Sequence, residues 1–248
     1  MNKYIGTSGY NYELWKGSFY PHNISSKNYL AYYSKFFNSV EINYTFYRMP
    51  SKKTVTSWYN TTPSNFKFCI KVHNYITHYK KLHNIDSYLK EFLLNLKPLK
   101  DKLACLLFQF PKQFVCSEKN LTRLVHLSSL LKRMVKHITV AVEFRHPSWS
   151  KIIGKLNELN FVVVSSYYNH IGFSPLLSQN ISNTIYIRLH GGKKMYVGRH
   201  STKVLGEIKK VMKNRNIHKC FVYFNNTDSV SGKTPDAIHD ALTVCKYI

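Results

Sequence analysis

The chain contains the run Cys105-Leu106-Leu107-Phe108, which is apolar at every position and so on both faces of an extended strand. The run Phe161-Val162-Val163-Val164 has the same property. Strands covered on both sides, as in a parallel sheet, have this composition. Similar short runs rich in β-branched or aromatic residues recur and predict eight strands, at residues 4–9, 39–47, 66–72, 103–110, 138–145, 161–167, 184–191 and 219–226.

Apolar residues spaced by three and four fill most of the gaps between these runs, as in Leu89, Phe92 and Leu93. This spacing predicts helices, and only residues 169–183 lack it. Alternating strands and helices are typical of parallel βαβ units, and eight such units predict closure into a (β/α)8 barrel. Because 248 residues is a usual length for one barrel, we expect a single domain over residues 1–248. An open doubly wound sheet is the alternative fold.

The charge balance of the chain is strongly basic. Lys and Arg number 36 against 12 Asp and Glu, a formal net charge of +24. An AT-rich genome explains abundant lysine, but it does not explain scarce acidic residues. The imbalance therefore favours a polyanionic partner, with nucleic acid first and an anionic membrane second. The lysines are scattered, which predicts a diffuse positive field and not a basic tail.

The cysteines and the start of the chain bear on its compartment. There are five cysteines and no Cys-x-x-Cys pair, which indicates reduced, mostly buried thiols. The first six residues do not resemble a signal peptide, and no apolar run approaches the ~20 residues of a membrane span. We expect an intracellular, cytoplasmic protein without membrane insertion. The cysteines are Cys69, Cys105, Cys116, Cys220 and Cys245.

Polar side chains gather near the C-terminal ends of the predicted strands. In the second strand Glu41, Asn43 and Thr45 are two residues apart, so they share one face. Other strands repeat this pattern. In a barrel these positions converge on one end, here called the mouth, where βα loops surround the active site. The remaining members are Lys71, Gln109, Glu143, Arg145, Arg188, His190 and Asn225.

The cations at the mouth predict an anionic ligand. We expect Lys71, Arg145 and Arg188 to hold a phosphate or a carboxylate, since guanidinium groups bind both in a bidentate manner. Neutralisation of these cations by the neighbouring carboxylates, in an inert structural network, is the alternative for any single residue.

Proton transfer at the mouth is assigned to Glu143 and His190, which are the plausible base and acid of the set. We expect Glu41 to orient an arginine or to hold a metal. A divalent metal on Glu41, Glu143 and His190, with Asp228 as a fourth ligand, is the less favoured alternative, because nearby Arg and Lys repel a cation. We therefore assign no metal ligand.

Two loops carry weaker signals. Gly191-Gly192-Lys193-Lys194, followed by Arg199 and His200, forms a basic loop after the seventh strand, where barrels often bind phosphate. In the first loop, Trp15 and Tyr20 lie near Lys16, an arrangement suited either to stacking on unpaired bases or to loop packing.

Ordered motifs along almost the whole chain resemble the YecE-like family, domain of unknown function 72 (DUF72). They begin with Gly6-Thr7-Ser8-Gly9-Tyr10 and Trp15-Lys16-Gly17. They continue with Val40-Glu41-Ile42-Asn43, Thr45-Phe46-Tyr47-Arg48, Lys71, Ile76-Thr77-His78, Gln109-Phe110-Pro111, Glu143-Phe144-Arg145-His146, Arg188-Leu189-His190-Gly191 and Tyr223-Phe224-Asn225-Asn226.

The resemblance implies a (β/α)8 barrel and brings no reaction with it. The family often has an Asp at the end of strand six, where this chain has Ser165 and Ser166. This departure puts any role of that Asp in metal binding or proton transfer in doubt. With the motif residues included, the substrate- or phosphate-binding set is Asn43, Tyr47, Arg48, Lys71, His78, Gln109, Arg145, Arg188, Asn225 and Asn226.

The leading hypothesis from the sequence is a nucleic-acid-binding barrel, with hydrolysis of DNA or RNA phosphodiesters as its candidate reaction. A second hypothesis is an enzyme that acts on a small phosphorylated or carboxylated metabolite in the same mouth. A third is a binding protein without catalysis. The sequence assigns no cofactor and leaves open whether a divalent metal is used.

Overall fold

Strands and helices alternate along the computed structural model, which describes residues 1–179, 182–228, 230–231 and 234–246. The strands are β1 Asn2–Thr7, β2 Ser39–Ile42, β3 Lys67–Lys71, β4 Leu103–Phe110, β5 Thr139–Phe144, β6 Phe161–Val163, β7 Ser165–Tyr168, β8 Gly172–Ser174, β9 Thr184–Leu189, β10 Lys219–Phe224, β11 Val230–Ser231 and β12 Thr234–Pro235.

The helices follow the strands in the predicted order. They are α1 Tyr29–Tyr33, α2 Tyr44–Tyr47, α3 Lys52–Thr61, α4 Asp86–Leu96, α5 Glu118–Met134, α6 Ile153–Glu158, α7 Thr202–Lys213 and α8 Asp236–Cys245. Short 3-10 turns lie at Glu13–Trp15, Ser26–Asn28, Lys97–Lys102, Pro147–Ile152 and Leu177–Gln179, and a π-helical turn at Tyr75–Tyr79. No helix in the described part of the chain is long and apolar enough to cross a bilayer.

Serine caps start three of the longer helices. Ser51, Ser117 and Ser201 each accept a hydrogen bond from the backbone amide three residues later, at 3.1, 3.3 and 3.4 Å. These bonds satisfy amides that the first turn of a helix leaves free. One face of each helix then packs against the strands, as α7 does with Val204 and Ile208.

The strands form two five-stranded sheets, β2-β3-β4-β5-β6 and β1-β10-β9-β7-β8. On one side, Ser8 pairs with Glu41 in a parallel bridge, and Gly9 N donates to Glu41 O at 2.7 Å. On the other side only Val164 separates β6 from β7, and its amide donates to Val142 O at 2.9 Å. β6 and β7 are thus halves of one barrel strand, and the predicted (β/α)8 fold is confirmed.

The interior of the ring holds its own cluster of side chains, separate from the layer between strands and helices. Tyr223 donates to Cys69 Sγ at 3.0 Å, and its hydroxyl lies 2.5 Å from Ser39 Oγ, so the interior joins β10 to strands that are not its neighbours in the ring. Because side chains alternate along a strand, the next inward position of each strand lies one layer closer to the mouth. The interior cluster is Cys69, Cys105, Leu107, Ala141, Val162, Val164, Tyr186, Phe221 and Tyr223.

The second strand is shorter than the sequence predicts. β2 ends at Ile42, and the chain turns into α2 at Tyr44. The prediction that Asn43 and Thr45 share a strand face with Glu41 is therefore wrong. Thr45 Oγ1 donates to Ile42 O at 3.1 Å and to the backbone oxygen of Lys71 at 2.7 Å, and these two bonds fix the turn. Local β propensity of the run gave no sign of this tertiary contact.

The aromatic residues of the first loop pack inside the protein. Trp15 and Tyr20 are fully buried, and the Tyr20 ring stacks on Tyr29 with centroids 4.0 Å apart. Of the two interpretations of this loop, the structure favours packing over stacking on bases, because a buried ring offers no face to a base.

Candidate functional site

Arg188 lies at the centre of a buried charge network at the mouth. It follows Tyr186 by two positions on β9, so both side chains point into the ring. Its Nε and Nη2 donate to the two oxygens of Glu41 at 3.0 and 2.8 Å, and Nη1 donates to Glu143 Oε2 at 2.6 Å. Arg188 is only 1% exposed. One guanidinium therefore links carboxylates from β2 and β5.

Glu41 has every strong acceptor position filled. Besides Arg188, Ser8 Oγ donates to Oε1 at 2.7 Å and Tyr186 OH donates to Oε2 at 2.7 Å. Burial alone raises the pKa of a carboxyl group, but the Arg188 charge and these hydrogen bonds outweigh it, so the pKa of Glu41 lies below its ordinary value. The geometry matches the predicted role of orienting an arginine.

One carboxylate oxygen of Glu143 accepts two hydrogen bonds, and the other accepts none within the described residues. Oε2 accepts from Arg188 and from Gln109 Nε2, the latter at 2.9 Å. Oε1 lies 3.1 Å from Arg145 Nη2 but has no aligned hydrogen bond from any described residue. Burial acts to raise the pKa of Glu143, yet Arg145 and Arg188 hold it well below the ordinary value. This carboxylate stays ionised at neutral pH.

His190 presents a second unsatisfied atom to the same place. Asn225 Nδ2 donates to its Nδ1 at 3.0 Å, which leaves the ring proton on Nε2. That Nε2 has no hydrogen bond within the described residues and lies 3.7 Å from Glu143 Oε1. Burial lowers the pKa of His190 to about 4, with Arg188 acting in the same direction, so the ring is neutral. A donor and an acceptor thus lie side by side without aligned hydrogen bonds, and only the ion pair with Arg145 engages the acceptor.

Arg145 extends the network towards solvent. Its guanidinium contacts the Tyr168 hydroxyl and lies 5.3 Å from the centre of that ring. The Tyr168 ring also stacks on His190, with centroids 4.8 Å apart. With its side chain 21% exposed, Arg145 is far more accessible than Arg188.

Lys71 ends β3 and lies in the same layer as Glu143 and Arg188. Its Nζ is 3.9 Å from the centre of the Phe46 ring, a cation–π contact. No hydrogen bond or ion pair joins this Nζ to another described residue, and the residue is 8% exposed. Burial, with the charges of Arg188 and Arg145, lowers the pKa of Lys71 to about 7, and the carboxylates of Glu143 and Glu41 act against this shift.

A cavity of about 250 Å³ opens above this layer. Lys71, Arg145 and Arg188 line it, and Asp228 lies on its rim, exposed to solvent. Of the predicted site residues, Asn43, Tyr47, Lys71, Gln109, Arg145, Arg188 and Asn225 share this lining. The structure adds Tyr12, Tyr196 and Thr227 to it.

His78 stands beside this cavity. Its ring packs edge-on against Phe46 at 4.9 Å, and burial with the Lys71 and Arg145 charges lowers its pKa to about 4. His78 is therefore another neutral imidazole, and it lies close enough to Lys71 for the charge of that lysine to lower its pKa.

Two predicted binding residues lie elsewhere. Asn226 is fully buried, and its Nδ2 donates to Gly198 O at 3.0 Å and to Asp240 Oδ2 at 2.9 Å, away from the cavity. Arg48 is exposed and does not line the cavity. Side chains alternate along a strand, so the neighbours Asn225 and Asn226 point to opposite sides.

The basic loop after β9 is anchored to α8. Arg199 Nε pairs with Asp236 at 3.1 Å, and His200 Nδ1 lies 2.8 Å from Asp240 Oδ2. These two side chains are thus engaged in packing the loop and do not point towards a phosphate. Lys193 and Lys194 are exposed.

Several contributors to the site were not predicted as site residues. Ser8 and Tyr186 hold Glu41, Tyr168 orients Arg145, and Phe46 covers Lys71. Tyr186 carried a usable signal, because it precedes Arg188 by two positions and shares its face. Phe46 carried none, since its contact depends on the unexpected turn after β2.

The less favoured alternative, a metal on Glu41, Glu143, His190 and Asp228, does not match this geometry. Within the described ranges, no group of three or more His, Cys, Asp or Glu side chains is arranged to hold a metal ion. Both oxygens of Glu41 already accept two hydrogen bonds each, and Asp228 accepts one from Thr227 Oγ1 at 3.3 Å. The structure therefore does not bring Glu41, Glu143, His190 and Asp228 together as a ligand set.

Ser165 and Ser166 fill the place where an Asp was expected. Both are buried, and neither hydroxyl has a hydrogen-bond partner within the described residues. Ser166 lines a second cavity of about 330 Å³, bounded by Phe144, Trp149 and Tyr168. Because Arg145 lines both cavities, it stands between a polar compartment and an aromatic one.

Comparison with known proteins gives matches across the whole chain. A family model described as "Protein of unknown function DUF72" matches residues 4–244. The UPF0759 protein YunF of Bacillus subtilis is 26% identical, over 90% of this chain and 88% of that protein. The UPF0759 protein YecE of Escherichia coli K12 is 32% identical, over 48% of this chain and 42% of that protein.

A solved structure also matches closely. The crystal structure of a DUF72 family protein from Thermotoga maritima superposes with a TM-score of 0.83 at 27% identity, covering 99% of this chain and 98% of that one. The fold and the resemblance predicted from the motifs are both confirmed.

Proposed function

We propose that this chain, which belongs to the DUF72 family, is an enzyme that binds a small organic anion in the 250 Å³ cavity at the mouth of its barrel. One observation carries the proposal. Lys71 Nζ lines this cavity, buried, with neither a carboxylate nor a hydrogen-bond acceptor from the described residues. A buried cation without a partner is costly, and an anionic ligand removes that cost.

The anion is held by the groups that retain free donors. Lys71 contributes its ammonium and Arg145 the accessible edge of its guanidinium. Arg188 acts indirectly, since each of its three nitrogens already donates to Glu41 or Glu143 and the residue is buried. Lys71 and Arg145 are thus proposed to bind the anion and Arg188 to hold the carboxylates in place, whereas the sequence predicted one binding role for all three.

Proton transfer is better matched to Lys71 than to the predicted pair of Glu143 and His190. A general acid or base works best when its pKa is close to the working pH. Glu143 is held ionised by two arginines and is a weak base, and His190 is neutral with a pKa of about 4. Lys71, with a pKa of about 7, exists in both forms near neutrality.

Glu143 and His190 then have a recognition role. The unsatisfied Glu143 Oε1 accepts, and the His190 Nε2–H donates, so together they suit a hydroxyl group or a carbonyl oxygen that becomes one. The cavity volume of about 250 Å³ lies just below the usual range for small-molecule sites, which favours a small metabolite over a polymer.

Calorimetric titration of the full chain with inorganic phosphate and with pyruvate tests this proposal. We expect saturable binding of at least one anion, weakened about ten-fold or more by Arg145→Met, which corresponds to about 1.4 kcal/mol. Arg133→Met, on the exposed surface of α5, removes the same charge and is the matched control. Binding that both variants weaken equally would contradict a specific site.

Nucleic acid remains a second candidate ligand because of the net charge of +24. Fluorescence anisotropy of labelled single- and double-stranded DNA and RNA across a salt series tests it. Tight binding with a steep salt slope, lost in Arg145→Ala, would support contact at the mouth. Binding that Arg145→Ala leaves unchanged would assign the charge to the outer surface and leave the cavity to small anions.

A further inference from the structure

We infer that Lys71 is a nucleophile, whose amine condenses with the carbonyl group of a small anionic aldehyde or ketone to form an imine. This inference rests on the proposed function of the same cavity and specifies its substrate class. It assigns to Lys71 a covalent role beyond holding charge.

The placement of Lys71 provides the geometry. Lys71 lines the cavity at the C-terminal end of β3, and its Nζ has no hydrogen-bond or ion-pair partner among the described residues that would hold its protons or engage its lone pair. Its close contact is the face of Phe46, 3.9 Å away. The aromatic face stabilises a cation without accepting a proton, so it suits the protonated imine that condensation forms.

The surrounding charges keep a useful fraction of Lys71 as the free amine. Burial has the largest effect on its pKa, and Arg188 and Arg145 lower it further, while Glu143 and Glu41 oppose them. His78, which also faces Lys71, is neutral. With a pKa of about 7, roughly half of Lys71 is unprotonated at neutral pH, against about one in a thousand or fewer for an ordinary lysine.

The reaction balances without an oxidant or reductant. The lysine nitrogen pair forms a bond to the carbonyl carbon, the π pair moves to oxygen, and one proton passes from nitrogen to that oxygen to give a neutral carbinolamine. The nitrogen pair then forms the C=N bond while the hydroxyl takes a proton from solvent and leaves as water, which gives the protonated imine. Arg145, which lines the cavity, holds the carboxylate or phosphate of the substrate. We assign the carbinolamine hydroxyl to His190 Nε2–H and to Glu143 Oε1, buried atoms beside Arg145 that have no aligned hydrogen bond within the described residues.

Borohydride trapping on the full chain tests the inference. We expect incubation with pyruvate at pH 7, then reduction with sodium cyanoborohydride, to add one pyruvate-derived group, which peptide mapping places on Lys71 at more than ten-fold the yield of any other lysine. Hydroxyacetone, a ketone without an anionic group, is the matched probe and should label Lys71 at least ten-fold less. Glyceraldehyde 3-phosphate replaces pyruvate to test a phosphorylated carbonyl.

Lys102 is an internal control in the same experiment. It is also buried, at 4% exposure, but its Nζ donates to Tyr59 O, Thr62 O and Thr62 Oγ1. An amine whose donors are all engaged should stay unlabelled. The yield on Lys71 should rise between pH 6 and 8 with a midpoint near pH 7, the pKa of its amine.

The outcomes separate this inference from the proposed function. If calorimetry shows anion binding that Arg145→Met weakens, while no adduct forms on Lys71 or labelling spreads evenly over many lysines, the imine is wrong and the anion site stands. If neither binding nor trapping occurs with pyruvate, phosphate or glyceraldehyde 3-phosphate, both proposals fail. If Lys71→Met forms no adduct and its circular dichroism spectrum matches that of the wild type, the result supports imine formation on Lys71.

Discussion

Two lysines are buried in the described part of the chain, and they lie at opposite ends of neighbouring strands. Lys71 ends β3 at the mouth, and Lys102 comes just before β4 at the other end of the barrel. Lys102 donates to two backbone oxygens and a hydroxyl at 2.6 to 3.1 Å, whereas Lys71 has an aromatic ring and an open cavity. The same residue type is thus a structural anchor at one end and a reactive group at the other.

The difference shows how acceptors decide the role of a buried cation. The C-terminal oxygens of a helix lack intrahelical partners, and Lys102 supplies donors to those at the end of α3. Its cost of burial is therefore offset within the protein. At the mouth, Arg188 pairs with the carboxylates and leaves Lys71 without one, and in the proposed function an anionic ligand is the missing partner. Barrel enzymes place stability at the N-terminal face and chemistry at the C-terminal face in this way.

The largest expected effect comes from removing the arginine that separates Lys71 from the carboxylates. Arg188→Met should lower the free energy of unfolding by about 3–5 kcal/mol, because it leaves Glu41 and Glu143 as buried, uncompensated charges. Urea unfolding followed by circular dichroism measures this, with Arg133→Met as the control that should change stability little. A loss below about 1 kcal/mol would mean that Lys71 can replace Arg188 as the counter-ion, and the contrast between the two lysines would weaken.

The next largest effect on stability is expected from replacing Lys102, the lysine that donates to the end of α3. Lys102→Met should cost about 2–3 kcal/mol, since Tyr59 O and Thr62 O lose their donor while buried. Lys71→Met, which removes a cation without an acceptor, should cost nothing or stabilise at the same pH. Equal losses in the two variants, measured by urea unfolding at pH 7, would show that Lys71 has a structural partner of its own.

The features that the sequence predicts are those that depend on neighbouring residues in the chain, and the features that it misses depend on contacts between distant residues. Eight strands and their order could be read from local composition, because burial on both faces leaves its mark on every strand. Glu143 and Arg188 were also predictable, since polar residues at the last inward positions of parallel strands must converge. Each of these inferences needs only period-two alternation and parallel connections.

The contrast between Lys71 and Lys102 was beyond the sequence. The acceptors of Lys102 lie 40 and 43 positions earlier in the chain, and the Phe46 ring reaches Lys71 only because β2 stops at Ile42. Neither contact leaves a periodic pattern. For the same reason Asn226 was assigned to the cavity, although its partner Asp240 lies on α8.

A smaller effect concerns pH. Folding lowers the pKa of Lys71 from its ordinary value of 10.5 to about 7, so the folded state binds fewer protons than the unfolded state between these values. The cost of Lys71 to stability therefore grows as the pH falls from 10.5 to 7 and is constant below 7. Lys71→Met should then gain roughly 2.7 kcal/mol more stability at pH 6 than at pH 9 relative to wild type.

Urea unfolding of both proteins at the two pH values checks this linkage. The comparison with wild type removes the titration of the other groups, which the two chains share. A gain that does not depend on pH, or one that is larger at pH 9, would place Lys71 in the ordinary pKa range and remove its advantage as an amine.

The smallest expected effect comes from removing the hydroxyl group of Tyr168 at the mouth, compared with removing that of Tyr59 near Lys102. Arg145 contacts the hydroxyl of Tyr168, so Tyr168→Phe should free the guanidinium and weaken anion binding about two- to five-fold, or roughly 0.5–1 kcal/mol. Tyr59→Phe is the matched control, because Lys102 uses the backbone oxygen and the ring of Tyr59 and not its hydroxyl. It should leave both anion binding and stability unchanged. If calorimetry shows the same small loss in both variants, the Tyr168 hydroxyl does not position Arg145, and the binding pair reduces to Lys71 with a freely moving arginine.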